Sequence, residues 1–404
     1  MTSATTQSSS SLTKSSKLRR AMVYYAAYII LGLVISAMGP TLPGRSPQTG
    51  STLSQISVIF SASSLGVVFG SFFGGMAYDR FKGHLVMALD LAALAVLVFL
   101  LPLMPTLWLL ATIVFLIGIG LGVIDVGGNT LIVWLFGREV GPYMNALHLC
   151  FGIGGFLSPL LVDRVVVAVG GIRWVYWILA GLIVPVVVWV LRVPSPAAKH
   201  DAGEETSAEP GSIRPYTLLI VMLAMFFFLH TGAEIGFSGW IFSYGVAIQI
   251  GADTVARLLN SSFWAGMILG RLLSIPLAFK LSPKQMLFID LVGTLASLGL
   301  ILLLPGWPAA VWIGTIGFGL SIASLFPTSL NFAGRRMPIT GQVTSYFLIG
   351  GNLGSMLIPW LVGQLFEPVG PQSFILVLLI ALVIALALLL YMLKYARRFQ
   401  ESAA

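Results

Sequence analysis

The stretch Leu65-Gly66-Val-Val-Phe-Gly70 returns two hundred residues later as Ala265-Gly266-Met-Ile-Leu-Gly270. Five more glycine pairs keep that offset: Gly32/Gly232, Gly39/Gly239, Gly141/Gly341, Gly154/Gly354 and Gly170/Gly370. Asp90/Asp290 and Pro159/Pro359 follow it too. Each half of the chain holds 22 of the 44 glycines, so chance at one offset would supply only about two or three pairs; seven mark an internal repeat.

Composition identifies the solvent. Only 9% of the 404 residues are charged and 57% are hydrophobic, with a mean hydropathy of +0.97. A soluble chain of this length cannot cover its surface with so few charges, so most of it faces lipid. Cys150 is the lone cysteine, which excludes an intramolecular disulfide framework. The four histidines (His84, His148, His200, His230) are scattered, which argues against a Cys/His metal cluster. A net charge of +8 alone is compatible with nucleic-acid binding, but the basic residues flank apolar runs as membrane anchors do. No nucleic-acid partner, metal centre or organic cofactor is expected beyond a coupling ion, sodium or proton. The Ser/Thr-rich start reads as a disordered tail, and the apolar run after Arg19 and Arg20 is too long for a signal peptide.

Apolar runs long enough to cross a bilayer core of about 30 Å fall at 21–43, 53–77, 84–104, 107–136, 141–168 and 172–193. They resume at 216–249, 253–280, 284–304, 308–332, 338–366 and 371–396. The expected fold is therefore an all-α membrane protein with twelve transmembrane helices in two six-helix repeats. Its expected parts are a tail at 1–20, bundles at 21–193 and 216–397, a polar linker at 194–215 and a tail at 398–404. Of the 22 Lys and Arg, seventeen fall on the side of the termini and four (Arg45, Arg164, Arg173, Arg257) on the other, with Arg271 inside the eighth span. By the positive-inside rule both termini are expected in the cytoplasm, the membrane being the plasma (inner) membrane. Six spans per half make the repeats parallel, and such membrane repeats place a transport site between the halves. Gly66 with Gly70 and Gly266 with Gly270 are small-xxx-small pairs that let the second and eighth spans approach a neighbour closely.

An ionisable group inside a span costs at least about 2.5–3.5 kcal/mol on insertion scales, so each calls for an explanation. Asp125 and Asn129 share a face of the fourth span, and Glu234 lies midway along the seventh. Asp125 and Glu234 are the candidate coupling groups: a midplane carboxylate can carry a proton or ligate sodium through its oxygens. His148 in the fifth span, Asn331 in the tenth and Asn352 in the eleventh are candidate hydrogen-bonding groups for substrate, with Asn129. Trp240, Tyr244, Trp264 and Tyr346 are candidates to stack on a sugar ring or close the cavity. A second set, Asp79, Arg80, Asp90, Arg271 and Asp290, is expected to form a cytoplasmic gate.

The turn Asp79-Arg80-x-x-Gly83-His84 resembles a departed form of the major facilitator signature between the second and third spans. Asp125-Val-Gly-Gly-Asn129, His148-Leu-Cys-Phe-Gly152, Gly232-Ala-Glu234-Ile-Gly-Phe-Ser-Gly-Trp240-Ile and Pro338-Ile-Thr-Gly341 together resemble the sodium-dependent glucose transporter group, related to the fucose permeases of the same superfamily. The resemblance implies uptake of a hexose-like solute coupled to a cation; a monomer is the default expectation. In the fucose permeases an acidic residue of the fourth span takes part in proton coupling, and Asp125 occupies the matching position. Those permeases also use an acidic residue in the first span, where this chain has none at 21–43; Glu234 is then the second carboxylate. The expected function is secondary transport of a small polar solute, a sugar, by cation symport with alternating access. Its rivals are a proton-coupled exporter of amphipathic compounds, which would favour a wide apolar cavity, and a non-transporting membrane sensor. Nothing in the motifs points to an enzyme.

Overall fold

A computed structural model of the chain describes residues 14–137, 140–196, 216–337 and 341–401. Residues 1–13 of the expected N-terminal tail, most of the 194–215 linker and the Pro338-Ile-Thr part of the last motif lie outside the described residues, whereas residues 14–20, expected in the tail, are helical and form the start of the first helix. Twelve helices among those described are long and apolar enough to span a bilayer. The first half contains α1 (Ser15–Thr49), α2 (Leu53–Arg80), α3 (Gly83–Leu103), α4 (Leu107–Phe136), α5 (Pro142–Val169) and α6 (Arg173–Arg192). The second half contains α7 (Thr217–Ala247), α8 (Asp253–Lys280), α9 (Pro283–Leu303), α10 (Pro308–Gly334), α11 (Val343–Phe366) and α12 (Gln372–Tyr395). An even number of crossings puts the ends of α1 and α12 on one face, called here the terminal face.

Most boundaries match the apolar runs, with two informative departures. The first helix does not stop at Pro43 but continues through Pro47 to Thr49. Tertiary contacts hold this proline-rich end: Leu42 is buried, and the buried Arg45 guanidinium lies 4.3 Å from the centre of the Tyr176 ring of α6. The second departure is a break in α10 at Ala323–Ser324, between helical stretches Pro308–Ile322 and Leu325–Gly334. There the Ser324 hydroxyl donates to the Asp290 carboxylate of α9.

The repeat is visible in the packing. Gly66 and Gly70 of α2 press against the carbonyls of Phe115 and Ile119 on α4, while Gly266 and Gly270 of α8 press against those of Ile316 and Leu320 on α10. A Cβ at any of the four would overlap the facing backbone, so the helices approach as closely as glycine allows. Gly170 and Gly370 both take left-handed backbone, φ +72° and +105°, in the turns that end α5 and α11.

The halves meet along three helix pairs, α1 with α7, α2 with α11 and α5 with α8, while α3, α6, α9 and α12 pack within their own halves. Large apolar side chains such as Phe72 and Phe279 point outward, as a lipid-facing ring requires.

Candidate functional site

Asp125 sits where α4 passes α1. The Tyr28 hydroxyl lies 2.9 Å from Asp125 Oδ1 and 2.8 Å from the Asp125 carbonyl. One turn on, the Asn129 amide donates to the Tyr28 oxygen at 2.8 Å and reaches Asp125 Oδ1 at 3.3 Å. The spacing of four residues puts Asp125 and Asn129 on one face, and Gly128 leaves room for the Tyr28 ring against α4. Tyr28 is fully buried, whereas Asp125 and Asn129 are half-buried. The same Tyr28 ring meets His148 of α5 edge-on, with centroids 5.8 Å apart.

The second half enters this site through Arg271 of α8. Its Nη1 donates to the His148 carbonyl at 3.1 Å, crossing between the halves. Glu234 of α7 and Arg271 lie within electrostatic reach of each other without forming a contact ion pair. Asn129, Asp125, Tyr28, His148, Arg271 and Glu234 thus form a polar band across the joint between the bundles, in a surrounding apolar core. Its two carboxylates come from different halves and its guanidinium lies between the halves. Such a band can bind a polar solute and a cation and can feel the relative motion of the bundles.

Several residues expected at the site stand elsewhere. Trp240 is fully buried between Phe60 and Phe366, its indole N–H donating to the Pro359 carbonyl at 3.0 Å. Six residues on from Glu234 it faces another side of α7, so it seals the joint between α2, α7 and α11. Tyr244 is buried inside the second half, where its hydroxyl donates to Gln372 at 3.3 Å. Trp264 fills the notch at Gly155, 5.5 Å from the Phe151 ring, and is likewise a packing residue. Asn331 is exposed at the terminal-face end of α10 and accepts from Arg335 at 3.3 Å. Of the remaining candidates, Tyr346 is exposed and Asn352 half-buried, both on α11, and they stay candidates for the site. Nor do the five expected gate residues come together. Asp79 and Arg80 are exposed at the end of α2, Asp90 and Asp290 sit on the peripheral helices α3 and α9, and Arg271 belongs to the central band. Among the described residues none of the five forms an ion pair with another.

The face opposite the termini carries a seal that the sequence reading missed. Arg257 of α8 and Asp163 of α5 form a buried ion pair at 2.9 Å between the halves. From it the α5–α8 seam runs inward through Gly155 against Trp264 and Gly152 against Ile268 to His148 and Arg271. In the related seam, Glu367, in the turn just after α11, accepts from the Leu53 and Ser54 backbone N–H groups at 3.1 and 3.4 Å, filling donors that the first turn of α2 leaves open. The Ser54 hydroxyl also donates to Gln364 at 3.0 Å. Tyr28 too was missed. Its partner lies 97 residues away, and a tyrosine in an apolar helix carries no local mark of such a bond.

The sequence model described as Major Facilitator Superfamily matches residues 24–359. The chain belongs to the major facilitator superfamily. Membership makes it a multi-pass membrane transporter and not an enzyme. Human sodium-dependent glucose transporter 1 is 28% identical over 374 residues, covering 84% of this chain and 72% of that protein. The major facilitator superfamily domain-containing protein 4A of Xenopus tropicalis is 25% identical over 438 residues, covering 88% and 87%. Among solved structures, the E. coli xylose transporter XylE in a partially occluded inward open conformation superposes with a TM-score of 0.76 at 12% identity, covering 94% of this chain and 99% of that one. The nucleoside transporter NupG (D323A mutant) gives 0.74 at 14%, covering 94% and 99%. At such identity the superfamily structures share the fold alone.

Proposed function

We propose that this transporter carries a sugar-sized polar solute in symport with a cation, sodium or proton, through a site at the central polar band. The observation that supports the reading most directly is the Asp125 carboxylate, held by Tyr28 and Asn129 beside His148, whose carbonyl is bound by Arg271 of the other half. Two carboxylates from different bundles suit a cation whose binding draws the bundles together. The hydroxyl, amide and imidazole groups suit a substrate rich in hydroxyls, and the similarity to sodium-dependent glucose transporters favours a hexose.

In this reading the terminal face is cytoplasmic, in keeping with the seventeen-to-four bias of basic residues, and the sealed face is external. Binding of cation and solute offsets the cost of dehydrating the band, and the bundles rock about it as the α5–α8 and α2–α11 seams part. Asp79 and Arg80 keep a gating role at the cytoplasmic end of α2. The unit is a monomer in the plasma membrane.

The test is radiolabelled glucose uptake into proteoliposomes under an inward sodium gradient or an inward proton gradient. Stimulation by sodium alone supports Asp125 and Glu234 as candidate ion ligands; stimulation by protons alone moves them to protonation roles. No uptake under either gradient, by protein shown to be folded, would remove glucose as the substrate.

A further inference from the structure

A groove of about 480 Å³ opens toward the membrane between α2 and α3, with α4 as its floor. Phe73, Ala77, Phe81 and Leu89 form its walls, Val123 lies on the floor, and Asp90 contributes the polar group. Phe73, Phe81 and Leu89 are each more than half exposed, so the groove faces lipid and not the central site. Asp90 Oδ2 is nevertheless buried and has no hydrogen-bond partner. The buried hydroxyl of Tyr78, on the neighbouring α2 and within electrostatic reach of Asp90, has none either. Buried polar atoms left unpaired are rare because burial removes their water without replacing it.

The second half shows what chemistry this position accepts. Asp290, the repeat partner of Asp90, receives the hydroxyl of Ser324. Gly70 and Gly270 face Ile119 and Leu320 respectively, so Ser324 on α10 corresponds to position 123 on α4. That position is Val123, in the groove and without a hydroxyl. One half supplies its carboxylate with an internal hydroxyl; the other leaves the carboxylate beside a lipid-open groove.

We propose that this groove binds a membrane alcohol, an apolar body with a single hydroxyl that donates to Asp90 Oδ1, the oxygen of the carboxylate that is not enclosed. Asp90 lies seven residues into α3, roughly 10 Å along the helix from its terminal-face end. That is shallow enough for the hydroxyl of a bilayer lipid to reach while its body lies between Phe73 and Phe81. The flat aromatic walls favour a rigid, sterol-like body over a single flexible chain.

The experiment uses the full-length protein in liposomes with a photoactivatable cholesterol probe, followed by mapping of the labelled peptides. Labelling is expected within residues 73–90 and is expected to fall at least severalfold with excess cholesterol but not with cholestane, which lacks the hydroxyl. Val123→Ser, which copies the arrangement of the second half, and Ala77→Leu, which fills the groove, should each reduce labelling in protein that remains monodisperse. Equal competition by cholestane would reduce the groove to an apolar crevice and overturn the proposal. Labelling elsewhere, or undiminished labelling of Val123→Ser, would overturn it as well.

Discussion

Asp125 and Tyr28 depend on each other. Asp125→Asn keeps the size and hydrogen-bonding capacity of the side chain but removes its charge. Concentrative uptake should be abolished while solute exchange survives, measured as counterflow in proteoliposomes; loss of both from folded protein would assign Asp125 to solute binding instead. Tyr28→Phe keeps the ring against His148 and deletes only the hydroxyl. A hydrogen bond to a charged group is worth about 1.5–3 kcal/mol, so the folded variant should melt at a lower temperature and its coupled uptake should drop roughly tenfold or more. Wild-type uptake would exclude Tyr28 from the site. Glu234 and Arg271 call for a double-mutant cycle. Glu234→Gln leaves the Arg271 charge without its counterpart, and Arg271→Gln does the reverse. The double variant should therefore retain more solute exchange than the product of the single effects predicts; strict additivity would show that the two groups act independently.

Helix pairs in this molecule are held by close backbone contact more than by interlocking side chains. Gly70→Val should separate α2 from α4, because its side chain would meet the Ile119 carbonyl; overpacking of this kind costs about 1–3 kcal/mol. Gly75, on the same helix, has no atom within 4 Å of an added Cβ, so Gly75→Ala should leave the melting temperature in detergent nearly unchanged. Equal melting of the two variants would refute close packing as the reason for the repeated glycines. The run of glycines was legible in the sequence, and so was the approach of α2 and α8 to a neighbour. Which neighbour was not legible, since Gly70 carries no information about Ile119 on another helix. The extension of α1 through Pro47 was hidden for a similar reason: proline marks a local stop, and only the burial of Leu42 and Arg45 against the rest of the first half outweighs it.

At the scale of the whole molecule, the two seams hold the face opposite the termini shut. Removing one member of a buried ion pair typically costs 3–5 kcal/mol. Arg257→Gln should therefore shift the balance away from this conformer by roughly a hundredfold or more, read as increased distances between spin labels placed across the α5–α8 seam on the sealed face. Unchanged distances would mean that the ion pair does not hold the closed conformer. The α2–α11 seam offers a complementary experiment. In a Cys150→Ser background, oxidised Ser54→Cys/Gln364→Cys should block uptake, and reduction should restore it. Continued uptake by the cross-linked protein would refute parting of this seam during transport.

Read alone, the chain determined its solvent, its twelve crossings, its duplication and the presence of Asp125 and Glu234 well inside apolar spans, where such helices rarely carry a carboxylate. These follow from local quantities: transfer free energies summed over about twenty residues, and spacings repeated along one strand of sequence. It also placed Asp125 and Asn129 on one face, because helical periodicity is local. Only the tertiary structure decided that Tyr28 holds Asp125, that Arg271 joins the central band instead of a gate, that Trp240 and Trp264 seal the joint, and that Asp163 meets Arg257. Each of those facts pairs residues about a hundred positions apart or on different helices. Such pairings depend on how whole helices dock, and in a bilayer that docking is set by shape and by the need to satisfy buried polar groups.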